Sequence, residues 1–520
     1  MSSKIIDLIK TILIYILTGT MLASAGYYIN ARQNAGQRDE VPWEKRRIFE
    51  GRAVFSEIDG QQLNPVQITV TFGGASRTAV HDDNLIESIY DGFIITAISG
   101  LFNRSAQSVA LGGAEGAELW RQAAASENSL YIRYAGDYIH PIIYAFLNPD
   151  NYDGTGEGRA IVRIHELFIV DMDPVFGIAR DSDGNIVAFM PSDENRDREI
   201  IGEHINATLQ RAYNISVGEG IPCRFLNNNI ISGELGANRN NIENLSFIES
   251  FHLFDNNHAV YSPVLLFENP LLDEAGNINL QQEYIRSLFR LLNFNRESAY
   301  FSQRRQIYTG VANSEVRFIA DRGQIIYTHR SSTGGLHLAR FLGYDADYYT
   351  FFEKLRAASA FANSLSILSR ELVGGADTRL VLKDIFYENG DLTVIFAYYF
   401  RGVEIRIAGM DGAVILRISR DRISEVTINT LRVSLHEIIR NIDPMLILRE
   451  TDRRIGQDIS DILDYGGAAM PDGLLEELAA RYNLSYDKDS GKLLVNRLEL
   501  VYNIDYSGGS GISEPVWVIR

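Results

Sequence analysis

Thr378 to Ile418, TRLVLKDIFYENGDLTVIFAYYFRGVEIRIAGMDGAVILRI, decides the fold. Four β-rich runs, Thr378 to Glu388, Leu392 to Phe400, Val403 to Ala408 and Val414 to Ile418, are punctuated by Asn389-Gly390, Arg401-Gly402 and Asp411-Gly412. A type I′ turn needs positive φ at both central residues, which Asn-Gly and Asp-Gly supply, so the stretch predicts an antiparallel meander. Side chains alternate faces along a strand, so at least one aromatic of Tyr398-Tyr399-Phe400 is expected on the outer face, as a candidate partner contact.

Working outward, Ala346 to Leu368 reads as a long helix with Phe351, Phe352, Leu355, Ala358, Ala362 and Leu365 on its apolar face. After the meander, Leu431 to Ile439 and Leu474 to Tyr482 are expected as helices, and Lys492 to Asp505 and Val516 to Arg520 as the last strands. An apolar strand at the end of the chain needs a packed anchor, and Trp517 is the candidate. Upstream, Leu280 to Leu292 reads as a helix, followed by strands at Gln306 to Thr309, Glu315 to Ala320 and Gln324 to Thr328. This unit matches the C-terminal one in order, which is consistent with an internal duplication. Further upstream come a strand at Val66 to Phe72 and helices at Asn84 to Phe102, Gly116 to Ala125 and Ile200 to Tyr213. Strands at Ser129 to Tyr134, Arg159 to Val170, Val175 to Ile178 and Asn185 to Met190 lie between them.

The fold class is therefore α+β, in antiparallel sheets packed with helices. The expected domains are 31–215, 216–345 and 346–520, behind an N-terminal segment 1–30. Within that segment, Thr11 to Ile29 (TILIYILTGTMLASAGYYI) is uncharged and follows Lys4 and Lys10. It is long enough to span a bilayer as a helix, so one transmembrane helix and an extracytoplasmic body at the cell membrane are expected. A cleaved signal peptide ending at Ala23-Ser24-Ala25 stays open as the alternative, and both readings export the body. Gly19, Ala23 and Gly26 share one helix face, where small residues admit a neighbouring helix; they are the candidate membrane-helix contact.

The net charge of −18 repels nucleic acid, and the lone Cys223 forbids an intrachain disulfide and any Cys-based zinc site. Catalytic signals are missing. His252 and His258, and His329 and His337, lack the i, i+4 spacing that puts two imidazoles on one helix face. Ser485-Tyr486-Asp487-Lys488 matches S-x-x-K without companion motifs and opens a strand, and Gly508-Gly509-Ser510-Gly511 reads as a flexible loop. Asp150 to Glu157 is oxygen-rich around glycines but departs from calcium-loop spacing. No catalytic, cofactor or metal residues are assigned, and no cofactor is expected.

Leu291-Leu292-Asn293-Phe294-Asn295, Arg317 to Asp321 with Gly323 and Ile325-Ile326-Tyr327, Tyr398 to Val403, Leu498 to Tyr502 and Pro515 to Ile519 together resemble the YycH/YycI family. Length and the N-terminal region resemble the YycH type, while the closing P-x-W-x-I resembles the YycI type as much. The resemblance implies a single-pass membrane protein with an α+β ectodomain and no catalytic residues. It also implies a sensor histidine kinase of WalK type as partner, controlling cell-wall metabolism, with a YycI-like protein as a further partner. Two other classes stay open: a cell-envelope enzyme (wall hydrolase or peptidase) with a non-contiguous site, and a ligand-binding module.

Overall fold

The computed structural model describes residues 65–519 with gaps, the longer ones at 91–105, 140–162, 192–205, 227–244, 255–262, 440–449 and 461–472. The proposed span Thr11 to Ile29, the Asp150 to Glu157 stretch and most of the helix expected over Asn84 to Phe102 lie outside the described residues. Among the described residues no helix is long and apolar enough to cross a membrane.

One sheet takes its strands from the first half of the chain. They are β1 (Gln67–Thr71), β2 (Arg77–Val80), β3 (Ala106–Leu111), β4 (Ser129–Ile139), β5 (Arg163–Val170), β6 (Gly177–Arg180), β7 (Ile186–Pro191) and β8 (Ile221–Leu226). After β9 (Leu245–Phe247), which goes elsewhere, β10 (Phe251–Phe254) completes it in the order β10-β8-β2-β1-β4-β5-β6-β7-β3. Helix α1 (Gly113–Ala125) packs Trp120, fully buried, edge-on against Phe168 at 4.7 Å between ring centroids. Beside it a buried ion pair joins Arg180 to Glu166, the Tyr131 hydroxyl donates to Glu166 Oε1 at 2.5 Å, and the guanidinium lies 4.5 Å from the centre of the Trp120 ring. Such a pair is tolerated in the interior because each charge meets a partner there.

The second body holds β11 (Pro263–Glu268), β12 (Tyr300–Ser302), β13 (Ile307–Thr309), β14 (Ser314–Ile319), β15 (Gln324–His329), β16 (Leu336–His337) and β17 (Val373–Gly374). The meander follows as β18 (Thr378–Glu388), β19 (Asp391–Phe400), β20 (Val403–Ile407), β21 (Val414–Ser419), β22 (Arg422–Asn429) and β23 (Leu431–Ile439). The chain closes with β24 (Ser485–Asp487), β25 (Lys492–Val495), β26 (Leu498–Ile504), β27 (Ser510–Ser513) and β28 (Pro515–Ile519). A 12-stranded sheet runs β12-β13-β14-β15-β22-β21-β19-β20-β26-β28, with β16 and β18 attached beside β22 and β19. It continues through residue 345, because β15 pairs with β22, and β8 and β10 likewise carry the first sheet past residue 215. Smaller sheets, β17-β23-β11-β27 and β24-β25-β9, tie the middle of the chain to its end.

Helix α2 (Glu283–Leu291) and the long helix α3 (Phe351–Leu368) pack together, and α3 also lies against β18, β19 and β21. It starts at Phe351 rather than Ala346 because Thr350 and Glu353 form a reciprocal capping box, Thr350 N–H donating to Glu353 Oε2 at 2.7 Å. Helix α4 (Leu474–Tyr482) has the expected span.

Several expectations change. Leu431 to Ile439 is strand β23, not a helix: Leu431, Val433 and Leu435 fit a period of two as well as Leu431 and Leu435 fit i, i+4, and pairing with β11 and β17 settles it. Arg401-Gly402 makes a two-residue hairpin turn with φ of 46° and 76°. Asp411-Gly412 does not turn a hairpin; β20 and β21 both pair with β19, and Gly412 passes close to Phe396, where a Cβ would meet its carbonyl oxygen at 2.9 Å. The Gly508 to Gly511 loop ends early, since Ser510 already belongs to β27 against β11. Trp517 lies in β28 opposite Leu500, and its side chain is outside the described residues.

Candidate functional site

The two large sheets meet where each is bulged. On β4, Arg133 faces Glu166 of β5 but Tyr138 faces Ile164, so the residues between them arch out of the ladder. On β18, Leu382 faces Phe396 and Asp384 faces Ile395, which makes Lys383 the extra residue of a second bulge. The bulges touch. A Cβ at Gly136 would stand 1.7 Å from the Lys383 carbonyl oxygen, so only glycine admits this approach. Around that point Tyr138 Oη donates to the Leu382 carbonyl at 2.5 Å, Arg133 Nη2 to the Gly402 carbonyl at 3.3 Å and Arg379 Nη2 to the Pro65 carbonyl at 3.2 Å. Burial pushes the Tyr138 phenol well above its ordinary range, so it stays a donor.

This joint corrects the expectation of an outward aromatic. Tyr399 does point away from Tyr398 and Phe400, but it is only 6% exposed, covered with Val381 and Ala397 by Val66 and Ala135 of the first sheet. The meander is thus buried on both faces here.

Beside the joint opens a cleft of about 170 Å³ between β4 and β5 on one wall and β18, β19, β20 and β26 on the other. Asp137 accepts the Ser182 N–H at 2.9 Å and the Ser182 hydroxyl, and buried His165 places Nδ1 at 3.8 Å from the same carboxylate. Lys383 Nζ and Arg406 Nη2 each hold one oxygen of Glu404 at 2.6 Å. Asp384, at the exposed rim, has its carboxyl pushed above the usual range, first by partial desolvation in the cleft and then by the Asp137 charge; the Ile385 N–H, Lys383 and Arg163 act the other way.

No protein-family model, no curated protein and no solved structure matches this chain. Its chemistry is therefore read from geometry. In a hydrolytic triad the imidazole stands between hydroxyl and carboxylate, whereas here the Asp137 carboxylate stands between Ser182 and His165. That order leaves the hydroxyl bound to an acceptor that is already charged, which holds Ser182 in place. Among the described residues no group of three or more His, Cys, Asp or Glu side chains could hold a metal ion.

Of the residues singled out in the sequence, Gly19, Ala23, Gly26 and His258 lie outside the described residues, and for His252 only its place in β10 is described. His337 sits apart from the cleft, its Nε2 at 3.0 Å from Asp421. Asp137, His165, Asp384 and Glu404 carried no sequence signal, since they come from four strands and no short motif joins them. The one available hint was Gly136, a glycine inside SLYIRYAGDYI, which marks a bulge or a close backbone approach.

Proposed function

We propose that the chain is a membrane-anchored extracytoplasmic regulatory adaptor that biases a sensor histidine kinase of WalK type between signalling states. The support for this reading is the family resemblance, whose stretches can be placed in the fold. The stretches that resemble the YycH/YycI family are scattered between residues 291 and 519, yet β14, β15, β19, β20, β26 and β28, which hold most of them, belong to one sheet. The uncharged run Thr11 to Ile29 supports the anchor, and Gly19, Ala23 and Gly26 offer a face for a kinase helix.

A regulator of this kind needs differential affinity for two kinase states; coupling of about 1–3 kcal/mol changes output about 5–150-fold. The test is crosslinking in native membranes followed by a kinase reporter. Gly19→Leu and Ala23→Leu are expected to weaken regulation while the body stays folded. Recovery of no envelope kinase among the crosslinked partners would refute the adaptor reading. Full regulation by both variants and by a secreted body would refute the role of the membrane helix alone.

A further inference from the structure

The cleft between the two sheets segregates its charges. Arg133 is tied to the Gly402 turn at one end through a single 3.3 Å hydrogen bond, its Nε is buried with no acceptor, and it makes no ion pair among the described residues. A guanidinium so placed is a ready partner for a carboxylate, which it binds through two parallel N–H groups. Asp137 in the β4 bulge and Asp384 beside the β18 bulge both line the cleft, close enough for one to raise the pKa of the other; among the described residues Asp384 accepts the Ile385 N–H, at 2.8 Å, with Lys383 and Arg163 as the cations near it. Next to Arg133 in the lining, Lys383 shares the single carboxylate of Glu404 with Arg406, which leaves one net positive charge there. The cleft thus sets a positive side, Arg133 with the Lys383–Glu404–Arg406 cluster, against an acidic side, Asp384 with Asp137.

We infer that this cleft binds a small zwitterion, a free amino acid whose carboxylate meets Arg133 and whose ammonium meets Asp384 and Asp137. An anion alone would leave the two carboxylates repelling each other, and a cation alone would leave Arg133 unmatched. Size agrees as well: a cavity of ~150 Å³ takes a benzene molecule, about six heavy atoms, and alanine has the same number in the ~170 Å³ found here. The bound molecule touches both sheets, so it would stabilise their present arrangement over any in which they part. The inference does not depend on the adaptor reading.

The experiment is isothermal titration of the full chain in detergent with each of the common amino acids in both hands. Propionate and ethylamine serve as the two halves of alanine, and dialanine tests a peptide terminus as the source of the same charges. At least one amino acid is expected to bind with a Kd of about 1 mM or tighter, and both halves of alanine at least about tenfold more weakly than alanine itself. Arg133→Gln and Asp384→Asn should each weaken binding about tenfold, with circular dichroism unchanged; Asp384, at the exposed rim, keeps the test valid if Arg133→Gln misfolds. Dialanine binding more tightly than every free amino acid would overturn the free amino acid as ligand. Absence of binding by the whole panel, equal binding of propionate and alanine, or unaltered affinity in Asp384→Asn would overturn the site.

Discussion

Gly136→Ala tests the joint on which the cleft depends. The added methyl would begin 1.7 Å from the Lys383 carbonyl oxygen, a backbone atom that cannot rotate away as a side chain would. Relief requires β4 and β18 to separate by more than about 1 Å, and overpacking of this kind costs about 1–3 kcal/mol when the surroundings yield. Three hydrogen bonds cross the joint, from Tyr138, Arg133 and Arg379. Stretching them adds a loss of about 1 kcal/mol each, so the whole falls at about 4–6 kcal/mol. Urea denaturation followed by tryptophan fluorescence and by limited proteolysis should show a lower midpoint, with the two sheets unfolding less cooperatively than in the parent. Gly112→Ala is the control, because a Cβ there meets nothing within 4 Å and the cost is confined to a helix N-cap, about 1 kcal/mol, with no effect on the cooperativity of the two sheets. If Gly136→Ala unfolds at the parent's midpoint with the parent's cleavage pattern, the close approach of the bulges is wrong.

Three further outcomes are expected. Asp384 has a raised folded-state pKa, so the folded chain binds its proton more readily than the unfolded chain does. Its contribution favours the fold below the unfolded range near ~3.9 and is lost as pH rises through the folded value, so Asp384→Asn should be slightly stabilising at neutral pH and lose that advantage on acidification; an equal shift at all pH values would contradict this. Arg180→Ala strands the buried Glu166 carboxylate and removes the cation over Trp120, so it should cost about 3–5 kcal/mol in denaturant titration. Thr350→Ala breaks the capping box of α3 and should lower stability by about 1 kcal/mol, read as a modest fall in Tm; no change would mean the cap is idle.

The meander was legible because its turn chemistry is local. Thr378 to Phe400 is paired as the Asn389-Gly390 signal requires, with Glu388 opposite Asp391. Arg422 to Asn429 (RISEVTIN) was not legible: charged residues break its apolar alternation, and it becomes a strand because β15 and β21 flank it on either side. Leu431 to Ile439 failed for a related reason, a short apolar run whose period decides nothing until a neighbour is present. The cleft was least legible of all. Asp137, His165 and Asp384 gain their relation from two bulges meeting across a sheet-to-sheet contact, and no spacing along one segment encodes that.

The order of strands also constrains how the chain can be made. Strand β11 near residue 265 pairs with β27 near residue 511, β9 pairs with β25, and β20 stays an open edge until β26 and β28 add to it. Synthesis proceeds from the N-terminus, so the first sheet can close on its own while the second body waits for β26, β27 and β28. During that wait β11 and β20 present unpaired backbone, which is a template for mispairing with another chain. Contacts this distant in sequence also slow folding once the chain is complete. A protein built this way tolerates loss of its last strands poorly: truncation before β26 would leave two hydrophobic edges permanently uncovered, and aggregation rather than a smaller folded body is the natural result.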